Sequence, residues 1–528
     1  MAATFDRKRA DVCVIGAGLA GGLIAHALTE SGLSVLLVEA GRRFPRGDRL
    51  AATRRLLDEG VLPWAGPESR DRFTNAGPLA YPLNEFRVKG VGGTTLHWTA
   101  YTPRFVEADF RLRQTHGVGE DWPITYADLG PFYDAAEHEL GVSGIADNPF
   151  AAPRASSYPL EGFPYAPDDH GLAEACGRLG IRTHHAPFAR GTVRWRDRSP
   201  CYGYATCASH QICPISAQYT AETHVQAAEA TGRLELLTEH RVRRLQVGAS
   251  GHVEAIVCRG PDGGEVVRAA RLFVLCAHAV ETARLLLLST SSRFPHGLGN
   301  SSGLVGRHFM EHQMWAVSGR VPRRMRPYQI GFHTMDSHAF CNTATRGASA
   351  GFRLAFPNAH GPRPEDLARD SGQWGDALAR EVASEFGRTA TIHAFTEPLP
   401  DARNTVGLDP VVVDDAGDPV PRLTYAASEY ERAGGRRAIE VMHRILDAFG
   451  ATDITAYDGV LYCGHQIGTC RMGARPETSV VDANLICHDV SNLAVVGSSV
   501  FTTASVLNPS LTIAALALRA ARHLPSLL

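Results

Sequence analysis

The sequence predicts an α/β fold in which a parallel sheet with packed helices is assembled from distant segments of the chain. Residues 10–41 alternate strand, glycine-rich turn, helix and strand. A second strand-then-helix pattern, "RLFVLCAHAVETARLLLLS", covers residues 271–289, and segment 461–528 reads strand, loop and helix. Strands that alternate with helices are typical of parallel sheets covered by helices.

Two intervening stretches differ in composition and predict a second domain that is inserted twice. Residues 42–194 and 308–460 are rich in Pro, Gly, His and short alternating runs. The predicted division gives 1–45, 195–307 and 461–528 to a nucleotide-binding domain, and 46–194 and 308–460 to a substrate-binding domain. Within the second stretch, "NAHGPRPEDLARDSGQWGDALAREV" is a candidate mobile excursion, with an ordinary surface loop carrying one helix as the alternative.

Composition restricts the classes of partner. Among 528 residues, 53 Lys and Arg oppose 55 Asp and Glu, for a net charge of −2. This balance gives no basic excess for nucleic acid. The most apolar stretches are too short to span a bilayer. The start lacks the pattern of a secretory signal. An odd count of eleven cysteines in a long chain does not fit a secreted disulfide scaffold. A cytoplasmic enzyme is therefore expected.

The first strand, turn and helix carry a dinucleotide-binding pattern, with Gly16, Gly18 and Gly21 in the turn and Glu39 after the second strand. Gly16 permits the tight turn, Gly18 allows backbone to approach a pyrophosphate, and Gly21 allows close packing of helix on strand. The helix N-terminus offers N–H groups to negative charge, and Glu39 can accept from ribose hydroxyls. An acid there fits FAD or NAD and disfavours NADP, but the pattern does not separate FAD from NAD.

Two further stretches carry a family resemblance, "VKGVGGTTLHWTAYTPRF" at residues 88–105 and "GHQIGTCRMG" at 464–473, the latter followed by a "NPSLT" helix start. Together with the glycine turn, they resemble the glucose-methanol-choline family of FAD-dependent oxidoreductases, over nearly the full length and in the family's order. The residues of these motifs are most similar to those of pyranose oxidases and of dehydrogenases that act on glucose, fructose and gluconate. The resemblance implies FAD as the cofactor, a Rossmann-like FAD-binding domain, and an intertwined α+β substrate domain built on an antiparallel sheet.

The resemblance also implies site residues. A segment near 85–105 covers the cofactor, and His97 matches the histidine that carries FAD covalently in pyranose oxidases; a non-covalent histidine is the alternative. Thr99 matches the position facing the reactive edge of the flavin. The implied cofactor contacts beyond the glycine turn and Glu39 are Gly92, Gly93, Thr95, His97, Val242, Gly497, Asn508 and Pro509.

Catalysis is predicted to rest on His465 and Asn508, with Thr99 in a supporting catalytic role. Oxidising an alcohol with a flavin moves a hydride to N5 while a base takes the hydroxyl proton, and histidine suits that task near neutral pH. Asn508, in "VLNPSLT", matches the second member of the family's pair, and its amide can orient the alcohol. The helix that follows would present its positive N-terminal end near the flavin ring.

The predicted reaction converts a secondary ring hydroxyl of a sugar or glycoside, at C2 or C3, to a ketone. Gluconate-like sugar acids and primary alcohols are alternatives. Another alternative is a hydroxynitrile-lyase-like protein, which keeps FAD without net redox chemistry. A non-catalytic flavin-binding subunit is disfavoured because both His465 and Asn508 are present.

The electron acceptor depends on the role of three cysteines at six-residue intervals. They are Cys201, Cys207 and Cys213 in "CYGYATCASHQICP". They resemble the loop that holds a three-iron cluster (3Fe-4S) in dehydrogenases that pass electrons to a cytochrome, although the second interval is longer here. A disulfide or reduced thiols in loop 201–214 are the alternatives. With a cluster, a cytochrome or quinone-linked partner is expected, together with periplasmic co-export beside a signal-bearing companion. Without one, oxygen or a diffusible quinone takes the electrons.

Overall fold

Two large sheets organise the chain, which the computed structural model describes over residues 4–5, 9–44, 46–59, 62–203, 207 and 212–528. The first sheet has eight strands. Its order is Leu234–Leu237, Val35–Val38, Ala10–Ile15, Glu265–Leu275, Val253–Arg259 and Arg241–Val247, with Thr4–Phe5 and Leu493–Val495 also paired to Glu265–Leu275. The part that contains Ala10–Ile15 is parallel, and the last two strands of the order form an antiparallel extension.

The parallel strands are apolar and almost continuously buried. All four residues of Val35–Val38 are buried, as are the last four of Ala10–Ile15. Continuous burial of this kind is typical of a parallel sheet, whereas a half-exposed strand alternates. The glycine turn then leads into helix Leu19–Glu30, where a Cβ on Gly21 would lie 1.9 Å from the carbonyl oxygen of Gly16. Only glycine lets the helix pack this closely, as the sequence predicts.

The second sheet is antiparallel throughout and has seven strands. Its order is Thr452–Ala456, Gln313–Arg320, Thr389–Thr396, Phe352–Phe356, Met335–Ser337 and His184–His185, with Leu461–Tyr462 also paired to Gln313–Arg320. Burial alternates strictly along Thr389–Thr396, so one face of that strand packs on an apolar core while the other is more open. Helix Glu429–Phe449 covers the core face through Ala438 and Met442. The predicted fold class, a Rossmann-like α/β domain joined to an α+β part on an antiparallel sheet, is confirmed.

Shorter elements complete the fold. Strands Thr74–Asn75, Thr405–Val413 and Pro419–Thr424 form a three-stranded sheet, and Ser143–Gly144 pairs with Leu160–Glu161. Further α-helices lie within the described ranges at Arg49–Glu59, Glu68–Asp71, Leu83–Phe86, Glu107–Phe110, Leu112–His116, Tyr126–Leu140, Asp169–Arg178, Glu222–Ala230, Ala279–Leu288, Pro364–Asp370, Gly375–Glu385 and Ser510–His523. Short 3-10 helices cover Arg46–Asp48, Gly93–Leu96, Ala344–Gly347, Ser498–Val500 and Leu524–Leu527.

The candidate excursion at 358–382 contains most of two helices rather than one. Every residue of Pro364–Asp370 and Gly375–Glu385 is at least partly exposed. Trp374, between them, is 85 % exposed. Over the described ranges, none of the helices is both long and apolar enough to cross a membrane.

A close contact between helix Glu429–Phe449 and the antiparallel sheet predicts a stability difference between two Gly→Ala variants. A Cβ on Gly435 would lie 2.2 Å from the indole ring of Trp315, which also donates to Thr396. Gly435→Ala should therefore destabilise the protein by about 1–3 kcal/mol through overpacking, seen as a lower thermal midpoint.

The matched control is Gly177→Ala in helix Asp169–Arg178, where an added Cβ meets no atom within 4 Å. Alanine is the better helix former by up to about 1 kcal/mol, so this variant should unfold at the same or a higher temperature. Equal midpoints for the two variants would contradict the packing argument.

Candidate active site

One cavity extends from the glycine turn to the turn that carries His465. Gly16 and Gly18 line one part of it, and His465 and Pro509 line another. Most residues predicted to contact the cofactor line this cavity, namely Gly16, Gly18, Glu39, Gly93, Thr95, Val242, Gly497 and Pro509. Five predicted site residues, Gly21, Gly92, His97, Thr99 and Asn508, lie outside its lining. Gly21 serves the packing of helix on strand described above.

Glu39 is buried, and both of its carboxylate oxygens already accept backbone hydrogen bonds. Oε2 accepts from the N–H of Ala17 at 2.9 Å, and Oε1 accepts from the N–H of Gly41 at 2.9 Å. Burial raises the pKa of this carboxyl, while the two backbone donors oppose the shift. Glu39 therefore shapes the glycine turn and lines the cavity at the same time.

The segment predicted to cover the cofactor packs directly on the glycine turn. The N–H of Gly92 donates to the carbonyl of Ala17 at 2.9 Å, and a Cβ on Gly93 would lie 2.9 Å from the Cα of Gly18. Gly92 and Gly93 both have positive φ, of 105° and 54°. These positions need glycine for backbone conformation, and Gly93 also for the close approach.

His97 and Thr99 lie beside the cavity, and Trp98, between them, lines it. The ring of His97 packs on Trp64, with centroids 5.1 Å apart, and its Nε2 has no hydrogen-bond partner among the described residues. Burial lowers the pKa of His97 to about 4. The carbonyl of Thr99 accepts from Arg190 at 3.4 Å. A covalent link through His97 stays a prediction, which retention of yellow flavin by denatured protein would test.

A charged cluster, none of whose residues was predicted as a site residue, also borders the cavity. Arg87, Lys89 and Glu281 are among the lining residues. Arg87 is ion-paired with Glu281, and Nζ of Lys89 lies 2.8 Å from Asp71 and 3.5 Å from Glu281. The Arg87–Lys89 pair immediately precedes the recognised glycine segment, but two basic residues at that spacing carry no specific sequence signal.

His465 is held at three points. Its Nε2 lies 3.1 Å from Nδ2 of Asn508, its Nδ1 lies 3.0 Å from Nδ1 of His312, and its backbone N–H donates to Oε1 of Glu311 at 2.8 Å. Burial, with further contributions from His312 and Arg353, lowers the pKa of His465 well below its usual value. The imidazole is therefore neutral near neutral pH and available as a base. His312 and Glu311 were not predicted as site residues.

Asn508 is oriented by a buried ion pair. Arg353 donates to Oδ1 of Asn508 at 3.1 Å and to Oδ1 of Asp336 at 3.1 Å. The guanidinium lies over the rings of Tyr101 and Phe395, at 4.6 and 3.8 Å from their centroids. Although burial opposes ionisation of Asp336, Arg353 and two neighbouring histidines hold its pKa well below the usual range. The amide nitrogen of Asn508 thus faces Nε2 of His465.

A hydrogen-bond chain connects the His465 turn to the floor of the cavity. Tyr81 donates to Glu311, the side-chain amide of Gln466 donates to Tyr81, and Oε1 of Gln466 lies 2.8 Å from Nε2 of His278. His278 caps helix Ala279–Leu288 and has a φ of 63°. Burial raises the pKa of Glu311 to about 7. This chain fixes the turn on the side away from Asn508.

Helix Ser510–His523 begins at the cavity, since Pro509 and Ser510 both line it. The N-terminal end of a helix carries partial positive charge. The structure thus places that charge in the cavity that also contains His465, which agrees with the predicted position of the "NPSLT" helix start.

The three cysteines of loop 201–214 gather around Arg190, although residues 204–206 and 208–211 of the loop lie outside the described residues. Nη1 of Arg190 lies 3.8 Å from Sγ of Cys201 and 3.6 Å from Sγ of Cys207, and Sγ of Cys213 accepts from the N–H of Ala217 at 3.2 Å. All three cysteines are described, and none takes part in a disulfide. A pairwise disulfide is therefore absent, and the three sulfurs sit near a buried cation.

These features define a class of protein: a dinucleotide-dependent oxidoreductase with a partly buried histidine in the cofactor cavity. Family models match residues 400–517 as a GMC oxidoreductase and residues 14–52 as an NAD(P)-binding Rossmann-like domain. The chain is 33 % identical to the fructose dehydrogenase large subunit of Gluconobacter japonicus, covering 97 % of each chain. It is 31 % identical to 2-methyl-1,2-propanediol dehydrogenase of Mycolicibacterium austroafricanum, covering 99 % of this chain and 96 % of the relative.

Solved structures agree with the fold. Pyridoxine 4-oxidase from Mesorbium loti superposes with a TM-score of 0.68 at 20 % identity, covering 98 % of this chain and 99 % of that one. The chain belongs to the GMC oxidoreductase family, and it is an FAD-dependent enzyme that acts on CH–OH donors. The glycines and carboxylate that line the cavity fit FAD: a Cβ at Gly93 would close the approach to Gly18, and the turn leaves the helix N-terminus open to a pyrophosphate.

The hydrogen bonding of Glu39 predicts the effect of Glu39→Gln. A glutamine would place an NH2 group opposite one of the two backbone donors that now meet carboxylate oxygens, which leaves a buried donor unsatisfied. We expect FAD affinity to fall by about tenfold or more, measured by flavin fluorescence on dilution.

The control is Glu85→Gln, an exposed carboxylate outside the cavity lining. It should leave FAD affinity unchanged. Equal affinities for the Glu39 variant and the unaltered protein would contradict the role given to the two backbone hydrogen bonds.

Proposed function

We propose that the protein oxidises a hydroxyl-bearing carbon of a sugar or aminosugar, with His465 taking the hydroxyl proton. The observation that carries this proposal is the partly buried imidazole of His465, whose Nε2 lies 3.1 Å from the amide nitrogen of Asn508, in the cavity that also contains the dinucleotide turn. The names of relatives support the substrate class. Besides fructose dehydrogenase, they include 6'''-hydroxyparomomycin C oxidase of Streptomyces lividus, at 30 % identity over 98 % of this chain and 91 % of that one.

In the proposed reaction, each of these groups has a separate role. FAD, when bound, accepts the hydride that leaves the substrate carbon. Nε2 of His465 accepts the hydroxyl proton, so that the C–H electron pair and the O–H proton leave together and a carbonyl forms. Asn508, fixed by Arg353, donates from its amide and orients the alcohol beside the base. The N-terminal end of helix Ser510–His523 supplies positive potential in the same cavity.

We propose a secondary ring hydroxyl at C2 or C3 as the reacting group. A primary hydroxyl is the alternative, and the name of another relative, paromamine 6'-oxidase of Streptomyces fradiae, favours it. Product analysis by NMR separates the two, because a ring ketone supports the first and an aldehyde supports the second. Anaerobic bleaching of the flavin by substrate would exclude the hydroxynitrile-lyase-like alternative.

A second proposal concerns the electron acceptor. The gathering of Cys201 and Cys207 at one nitrogen of the Arg190 guanidinium favours a group of negative charge at this place, which a thiolate-ligated iron–sulfur cluster would supply. Arg190 also donates to the carbonyl of Thr99, so this one side chain contacts both the cysteines and the segment beside the FAD cavity. With a cluster, a cytochrome or quinone-linked partner receives the electrons; with reduced thiols, oxygen or a diffusible quinone does.

Removing the proposed base tests the function. His465→Ala should lower the rate of anaerobic flavin reduction by a sugar substrate by about two orders of magnitude or more, because the group proposed to take the hydroxyl proton is lost. FAD content should be unchanged, since the glycine turn and Glu39 are untouched. Stopped-flow absorbance measures the rate.

The matched control is His443→Ala, on the exposed side of helix Glu429–Phe449, which should reduce flavin at the unaltered rate. A His465→Ala variant that keeps both its FAD and its full rate of flavin reduction would overturn the assignment.

The cysteine proposal is tested by iron and acid-labile sulfide analysis of anaerobically prepared protein. Stoichiometric iron and sulfide, lost in Cys207→Ser, would support the cluster and the cytochrome-linked acceptor. Protein free of both, with all three thiols titratable after denaturation, would establish reduced thiols.

A further inference from the structure

We propose that His312 is a positioning residue that sets the tautomer of His465, so that Nε2 of His465 carries the lone pair that accepts a proton and Nδ1 carries the ring proton. This inference rests on the proposed role of His465 as the base. It concerns a residue 153 positions away along the chain that is hydrogen-bonded to the ring of His465.

The tautomer of His312 follows from its contact with a backbone carbonyl. Nε2 of His312 lies 2.8 Å from the carbonyl oxygen of Ser505. A carbonyl can only accept, so this nitrogen carries the proton. His312 is 1 % exposed, and burial lowers its pKa to about 4. The ring is neutral and has one proton, which leaves its Nδ1 as an acceptor.

The tautomer of His465 follows in turn. The two Nδ1 atoms are 3.0 Å apart, and such a pair is bonded only when one nitrogen carries a proton. Because Nδ1 of His312 has none, Nδ1 of His465 must donate. His465 is neutral as well, since burial and its neighbours lower its pKa. Its Nε2 is therefore unprotonated.

The hydrogen bonds on the Asn508 side of His465 give the same tautomer independently. Arginine can only donate, so the atom of Asn508 that meets Arg353 is the amide oxygen. The NH2 group of Asn508 then faces Nε2 of His465 at 3.1 Å and donates to it, which again requires a bare Nε2. Two fixed groups, the Ser505 carbonyl and the Arg353 guanidinium, thus impose one direction on all the hydrogen bonds between them.

Backbone contacts make the arrangement rigid. Glu311, next to His312, accepts from the backbone N–H of His465, so neighbouring residues hold the main chain and the ring of the base. Among the described residues, the titratable and charged groups around the imidazole of His465 are His312, Arg353, Glu311 and Cys463. Of these, His312 is the one hydrogen-bonded to the ring.

Two nearly isosteric substitutions separate tautomer control from packing. His312→Asn keeps an acceptor oxygen near the place of Nδ1, whereas His312→Leu fills similar space without one. In the FAD-loaded enzyme, we expect His312→Leu to slow flavin reduction by a sugar substrate about 100-fold and His312→Asn to stay within about tenfold of the unaltered rate. His360→Leu, an equally buried histidine outside this chain of hydrogen bonds, should leave the rate unchanged.

Equal losses in the Asn and Leu variants would overturn the proposal, because a packing role does not distinguish them. Neutron diffraction from deuterated FAD-loaded enzyme gives a second test that needs no variant. A deuteron on Nδ1 of His465 and none on Nε2 is expected, and the reverse would refute the assignment. If His465→Ala stops flavin reduction while His312→Leu does not, this inference fails alone; if His465→Ala leaves the rate unchanged, the proposed function fails.

Discussion

One backbone pair sets the register between the antiparallel sheet and the turn that carries His465. Met310 and Ile467 exchange two hydrogen bonds, from N–H to carbonyl in both directions, at 3.0 and 3.1 Å. This pair joins the start of strand Gln313–Arg320, in the antiparallel sheet, to the turn that carries His465. Because the register is fixed there, Glu311 and His312 lie beside His465 and Gln466. A shift of one residue would turn each of these side chains to the opposite face.

Three buried charged or titratable residues around His465 each have at least one hydrogen-bond partner. Arg353, Asp336 and Glu311 are each at most 2 % exposed, where an unpaired charge would be costly. Arg353 is shared between Asp336 and Asn508, and Glu311 accepts from Tyr81 and from the backbone of His465. The same burial lowers the pKa of the two histidines. Desolvation thus keeps the base neutral, and the hydrogen bonds give it a direction.

The segment at 88–105 connects the dinucleotide turn to the cysteine loop through Gln218 and Arg190. Its glycines pack on the dinucleotide turn, and its Trp98 carbonyl accepts from Gln218, which in turn accepts from Arg190. Arg190 carries the contacts with Cys201 and Cys207. The cysteine loop, the cofactor-covering segment and the FAD cavity are therefore connected by direct contacts, and any group held by the cysteines would lie on one side of that segment.

The sequence alone determined the parts of this protein that depend on neighbouring residues. The glycine turn with its strand and helix, Glu39, the His465 turn and the Asn508–Pro509 helix start are contiguous patterns, and the structure places nearly all of them at one cavity. Tertiary structure decided the rest. His312, Arg353 and Glu311 stand in ordinary strand-like sequence, and no local pattern separates them from other histidines, arginines and glutamates. They reach the site because antiparallel register brings residues more than 150 positions apart into hydrogen-bond contact. The direction of those hydrogen bonds determines which nitrogen of His465 has the lone pair. That direction depends on buried residues from several distant segments, so no single segment of the sequence predicts it.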